Sequence, residues 1–341
     1  MLDQALPNLD SWVSYFSQEN LPILRRTARQ LAAARENIDD INGRDIAAIV
    51  LQDPLLTVRV LAYIQPMANQ RLRNDITTID QAIVMQGVEP FFRRFENLPV
   101  VEDGLSAHPR ALLGMLHTVR RAQRAARYAN DWAYWRHDMN VEEVVVATLL
   151  HELAEILIWC FSPTLALRIK AMKRMDRNLR STVAQHAVLG VTLADIQQAL
   201  CRAWHLPELM ITLTDDKQAD HPRVRNVLLA INLARHSAEG WDDAALPDDY
   251  KDIANLLHLN LDTVKKRIGV PEAVVEPEEE NASTDAAPAA PGTVPPGQET
   301  AASSAPPEAG DTAPAAPADV DTGTTPAPSA SPAPTDLPPA H

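Results

Sequence analysis

The chain has 341 residues, with 31 lysines and arginines against 45 aspartates and glutamates, for a formal net charge of -14 at pH 7. It contains only 11 glycines, and neither a Walker sequence nor a dinucleotide fingerprint occurs, which excludes those classes of glycine-rich phosphate site. Its two cysteines, Cys160 and Cys201, lie far apart in apolar contexts, which favours reduced, buried thiols in the cytoplasm over a disulfide framework.

Apolar residues recur at three- and four-residue spacing along most of the chain, and no alternating strand pattern persists between these stretches. The stretches are 23–34, 46–51, 55–64, 79–88, 111–129, 144–161, 191–204 and 224–234. We therefore predict an all-α fold. It would comprise a helical extension over 1–19, a helical subdomain over 20–105, a second over 106–240, and closing helices over 241–270. We find no run of about 18 apolar residues, and expect no membrane span.

The last 71 residues, 271–341, contain 16 of the 27 prolines, 12 of the 45 acidic residues and no lysine or arginine. Such a composition cannot bury enough apolar surface to offset the entropy of ordering, so it predicts a disordered acidic tail. Removing those 12 acidic residues leaves 33 against 31 basic ones in residues 1–270. The folded part is therefore expected to be almost neutral.

His151 and Glu152 lie in the predicted helix 144–161, His117 lies on the helix before it and Asn232 on a later one. This set resembles the metal site of HD-type phosphohydrolases, which carry a His-Asp dipeptide at the position of His151 and Glu152 and further ligands at the other two positions. Imidazoles and a carboxylate are metal ligands, but the neutral amide of Asn232 cannot help to hold a hard cation or to acidify a bound water. We interpret these four as degenerate metal-site positions and expect no metal, no cofactor and no catalysis.

Two alternatives to that interpretation stay open. The site could retain metal-dependent phosphohydrolase activity. The histidines could equally be ordinary hydrogen-bonded core residues, as His151 is flanked by apolar side chains.

Several short blocks recur in a characteristic order, the most telling being Gln-Asp-Pro-Leu-Leu-Thr at 52–57 and Trp-His-Leu-Pro-Glu at 204–208. With His151 and Glu152 between them, this order resembles the HDOD domain, the HD-related output domain of bacterial signalling proteins. The resemblance covers about residues 20 to 240. It implies an all-helical fold of two packed subdomains and a non-catalytic role in signal transduction.

The chain also departs from that family's pattern. Gln-Pro-Met-Ala-Asn stands at 65–69 where an Asn-Ser pair is expected, and Asp215-Asp216 replaces a pair of histidines that often follows the Leu-Pro block. The Gly-Tyr-Pro signature of the related HD-GYP phosphodiesterases is missing. The first two departures put in doubt any ligand surface that those positions form in relatives, and the missing signature argues against hydrolysis of a cyclic dinucleotide.

Four arginines form a basic group on the predicted helix 111–129. Arg120, Arg124 and Arg127 are spaced to share one helix face, and Arg121 lies beside them. One interpretation is a solvated helix face. The other is a contact with an anion, which could be a nucleotide, an acidic patch on a partner protein or a phosphate backbone.

The segment 253–268 has the pattern of a helix-turn-helix, with Lys265, Lys266 and Arg267 on its second helix. Two short helices that close an all-α domain would have the same pattern. Because an almost neutral folded part provides little of the positive field that attracts DNA, we expect signalling proteins or a small anion as partners. A DNA-binding regulator remains the alternative, and the oligomeric state is left open.

Overall fold

The computed structural model describes residues 1–71, 75–176 and 178–271. Over these ranges the protein is all-α, as predicted, and its only β feature is an isolated bridge between Ile23 and Val100. The predicted tail lies outside the described residues, apart from Pro271. The first seven helices are α1 (Leu9–Gln18), α2 (Arg25–Glu36), α3 (Gly43–Val50), α4 (Pro54–Arg71), α5 (Ile79–Gln86), α6 (Val88–Phe95) and α7 (Val101–Gly104).

The remaining helices include those that carry the expected site residues. They are α8 (Pro109–Trp135), α9 (Val141–Leu150), α10 (Leu153–Phe161), α11 (Pro163–Met175), α12 (Ser181–Leu189), α13 (Leu193–Ala203), α14 (Glu208–Leu213), a short 3-10 helix (Asp216–Gln218), α15 (Pro222–His236), α16 (Leu246–Leu257) and α17 (Leu261–Ile268).

The long helix α8 packs against α9, α10, α11 and α15. Its buried face is rich in small residues, among them Gly114, Ala122 and Ala129, which allow the neighbouring helices to approach closely. At Gly114 an added Cβ would lie only 2.6 Å from the ring of Trp159 on α10. The absence of a side chain there is therefore what lets the Trp159 ring pack directly against α8.

The two helical halves expected from the sequence share one continuous apolar core, which runs from Trp12 on α1 to Val270 after α17. Polar contacts join the halves as well. The Glu142 carboxylate on α9 accepts a hydrogen bond of 3.0 Å from the backbone N–H of Ile79, at the start of α5. Glu143 accepts bonds from Thr77 and Arg223. These contacts hold the site-bearing helices against the N-terminal half.

The predicted helix 144–161 is in fact two helices, since α9 ends at Leu150 and α10 begins at Leu153. The break leaves backbone groups without a partner inside the helix. The buried amide of Gln197 on α13 satisfies two of them, as it donates to the Leu150 carbonyl at 3.0 Å and accepts from the Ala154 N–H at 3.0 Å. His151 and Glu152 thus lie in a bend supported by another helix, and not within a helix as expected.

One described stretch reaches, in its mean hydropathy, the range of segments that can cross a membrane, although glutamates and His151 interrupt it and it contains no run of about 18 apolar residues. The stretch Val141–Phe161 has a mean hydropathy of 1.9 in its most apolar 18-residue window, and 78% of that window is buried inside the protein. A core helix of a soluble protein has the same composition. Both cysteines are free and buried, as predicted.

Candidate functional site

A cleft of about 1310 Å³ opens between α8, α10, α11, α13 and α15. His117, His151 and Glu152 all line it. Asn232 does not, although it lies on α15; Arg235, three residues further along that helix, lines the cleft instead. The structure therefore brings together three of the four expected metal-site positions. At the fourth, the guanidinium group of Arg235 lines the cleft in place of Asn232.

The guanidinium of Arg121 occupies the carboxylate end of this site. Its Nε lies 2.7 Å from Oε2 and 3.0 Å from Oε1 of Glu152, and its Nη2 lies 2.8 Å from Oε2 of Glu155. Arg235 adds a longer contact of 3.4 Å to Glu152. The Glu152 side chain is only 4% exposed, so its charge partners are these two arginines and not solvent.

Glu155 is a site residue that sequence reasoning missed. Besides the bond from Arg121, its carboxylate accepts bonds of 3.0 Å from the Thr118 hydroxyl and 3.3 Å from the Trp159 indole N–H. Burial acts to raise the pKa of Glu155, but the charge of Arg121 and these hydrogen bonds outweigh it and hold the pKa below its usual range. The spacing of Glu155, one helical turn after Glu152, was the signal available in the sequence.

The two histidines have different environments. The Nε2 atom of His151 lies 2.7 Å from Oδ1 of Asp216, and the imidazole side chain is 13% exposed. Asp216 is part of the Asp-Asp pair noted in the sequence as a departure from the family pattern. Burial acts to raise its pKa, but the hydrogen bond from His151 and the nearby charges lower it overall. His117 is exposed, so the core interpretation does not apply to it.

These donors do not fit a metal ion. Glu152, the carboxylate next to the histidines, already has both oxygens bonded to a guanidinium, and His151 is bonded to Asp216. Within the described ranges no three His, Cys, Asp or Glu side chains are grouped so that they could hold a metal. The arrangement is that of an internal ion-pair network in a cleft, in which a cationic side chain takes the place a metal would need.

The four arginines noted on α8 all line the cleft. Arg121 faces inwards to the carboxylates, and Arg124 donates to the Ala234 carbonyl at 2.7 Å, whereas Arg120 and Arg127 are exposed. This face is therefore part of a concave surface. That the arginines bind an anion stays a prediction.

A second basic group, on α11, was missed. It consists of Lys170, Lys173 and Arg174, which line the same cleft. Their spacing of three and four residues places them on one helix face, which could have been read from the sequence.

The basic residues of the helix-turn-helix-like segment lie elsewhere, on α17. Lys265 places its Nζ 5.9 Å from the ring centre of Tyr250, and the guanidinium of Arg267 lies 4.4 Å from that of Trp135. Lys266 is exposed. Two of the three predicted DNA contacts are thus packed against aromatic rings of the same protein.

Several solved structures are similar to this one. The response regulator MmoQ from Methylococcus capsulatus superimposes with a TM-score of 0.57 at 17% identity, over 74% of this chain and 98% of that one. A virulence factor from Campylobacter jejuni gives 0.53 at 20% identity, over 76% and 97%. An HDOD domain protein of unknown function from Geobacter sulfurreducens gives 0.41 at 17% identity, over 76% and 93%. At such identities the likeness to the first two structures shows the fold alone.

The amino-acid sequence was also compared with curated proteins and with models of protein families. No curated protein matches the chain, but residues 21–219 match the family model of the HDOD domain. The matched range agrees with the span of the motif blocks and takes in the cleft helices from α8 to α14. Because it covers more than half of the 341 residues, the chain belongs to the HDOD family.

Proposed function

We propose that this protein is a non-catalytic signalling module that acts by binding partners, with proteins of a signalling pathway as those partners. The observation that carries the proposal is the position of Arg121. A hydrolytic metal site needs carboxylates free to bind the ion and to help acidify a water. Here the Glu152 carboxylate is bonded to Arg121 through both oxygens.

Family membership supports the signalling role. HDOD stands for an output domain related to HD phosphohydrolases, and one protein of similar fold is a response regulator. An output module without a catalytic site has to transmit its signal through contacts with other molecules. We place the module in the cytoplasm, where both thiols would remain reduced.

The test is a metal and hydrolysis assay on the full chain purified without chelator. We expect elemental analysis to find no stoichiometric Mn, Fe or Zn, and we expect no hydrolysis of nucleotides or phosphodiesters. Two variants, His117→Ala and His151→Ala, test whether any metal that is found is bound in the cleft, because each variant removes an imidazole that lines it. About one equivalent of metal that is lost in both variants would refute the non-catalytic proposal.

A further inference from the structure

Basic side chains from two helices line the cleft around the arginine–carboxylate network. Three come from one face of α8 and three from one face of α11. They are Arg120, Arg124, Arg127, Lys170, Lys173 and Arg174. We call these six residues the basic rim.

Among the described residues, no member of the basic rim lies in an ion pair. The ion pairs of the cleft join Glu152 and Glu155 to Arg121 and Arg235, and Asp216 to His151. The most deeply placed acids are therefore already neutralised. Asp195, Asp215 and Glu239 also line the cleft, but among the described lining residues eleven lysines and arginines still stand against six aspartates and glutamates, although residues 1–270 are almost neutral as a whole.

Burial and two arginines outside the basic rim act on Lys173. Partial burial and the nearby charges of Arg235 and Arg121 lower the pKa of its ammonium group, and the charge of Glu155 opposes this only in part. Like charges gathered in a site of reduced dielectric repel each other, and a bound anion would relieve that repulsion.

The concave shape of the cleft favours a small ligand over a macromolecule, because the cations lie in a concavity between helices. Its volume of about 1310 Å³ is above the roughly 300–1,000 Å³ of ordinary ligand pockets, so a small ligand fits without filling it. A DNA duplex requires cations on a surface that can follow its backbone. Ile158, Ile169 and Leu193 add apolar lining, which suits the organic part of a ligand.

We propose that the cleft binds a small organic phosphate that carries more than one phosphoryl group, with the basic rim holding the phosphates. Arg and Lys are the side chains that recognise phosphate through charge-assisted hydrogen bonds. The inference goes beyond the proposed function, because it assigns a small-molecule site to a module proposed to bind proteins. The bound phosphate compound would then be an input signal for this module.

The test is isothermal titration calorimetry of the full chain with ATP and with tripolyphosphate, in chelator and at constant ionic strength. We expect both probes to bind with micromolar Kd. Lys173→Gln with Arg174→Gln should raise Kd at least tenfold, and Arg127→Gln should raise it about threefold. The matched controls are Arg168→Gln on α11 and Arg110→Gln on α8, two exposed arginines outside the cleft lining; neither should change Kd.

Three results would overturn the inference. They are no binding of either probe, equal weakening by the control variants, and tighter binding of duplex DNA through the same basic rim, which would make the cleft a nucleic-acid interface. Phosphate release from ATP is followed in parallel samples without chelator, because a chelator would itself suppress metal-dependent hydrolysis. Hydrolysis would refute the non-catalytic proposal and leave the phosphate site standing, so the two failures can be told apart.

Discussion

Arg121 donates to two carboxylates, Glu152 and Glu155, that lie one helical turn apart on the α9–α10 bend and on α10. Without a cation between them these carboxylates would repel each other in a poorly solvated cleft. The guanidinium can satisfy both because it presents several donors in a fixed plane, which a lysine cannot do. At this position a side chain of the protein supplies the positive charge for which a metal enzyme uses an ion.

Replacement of Arg121 by Met tests that role. The variant keeps much of the side-chain volume but leaves Glu152 almost fully buried without its main partner. Breaking one side of a buried pair costs about 3–5 kcal/mol, and we expect about 3 kcal/mol because Glu155 is 32% exposed. Urea denaturation measures the loss. The neighbouring exposed Arg120→Met should change stability by less than about 0.5 kcal/mol, and a comparable loss there would contradict the assignment.

At the scale of elements, the bend between α9 and α10 positions the site. It turns Glu152 towards α8 and places His151 next to Asp216. A bend inside an apolar core requires partners for the interrupted backbone bonds. The side chain of Gln197, which is 3% exposed, supplies one acceptor and one donor from α13.

Gln197→Leu should therefore destabilise the protein. It leaves the Leu150 carbonyl and the Ala154 N–H buried without these bonds, and each such group costs about 1–3 kcal/mol. We expect a loss of about 2–4 kcal/mol in urea denaturation. Arg202→Ala, on the exposed side of the same helix, is the matched control and should be almost neutral. If Gln197→Leu were as stable as Arg202→Ala, the bend would not depend on the hydrogen bonds from Gln197.

At the scale of the whole molecule, charge is distributed unevenly. The acidic excess belongs mainly to residues 271–341, whereas residues 1–270 are almost neutral and contain a basic cleft. Among the described residues, the last buried ones are Val264 and Ile268 on α17 and Val270 after it.

Truncation after Pro271 should leave stability within about 0.5 kcal/mol of the full chain, because composition predicts that residues 272–341 add no core. Thermal unfolding measures this. The matched truncation after Asn260 also removes α17. It should cost at least about 2 kcal/mol, because burial of one large apolar side chain is worth about 1.5–3 kcal/mol. A large loss on the shorter truncation would mean that residues 272–341 contribute to the fold.

The sequence by itself determined the helical class, because apolar spacing reports which residues share a helix face. The same logic placed Arg120, Arg124 and Arg127 together, and the order of short blocks identified the family before any fold was known. The pairing of His117, His151 and Glu152 in one cleft followed from that resemblance.

Only the tertiary structure decided which faces meet. The bond between His151 and Asp216 joins positions 65 residues apart, and the bend at His151 depends on Gln197 from another helix. The exchange of Asn232 for Arg235 in the cleft depends on how α15 is rotated against α8. Periodicity within one helix contains no information on such rotations, because they are set by the packing of side chains between helices.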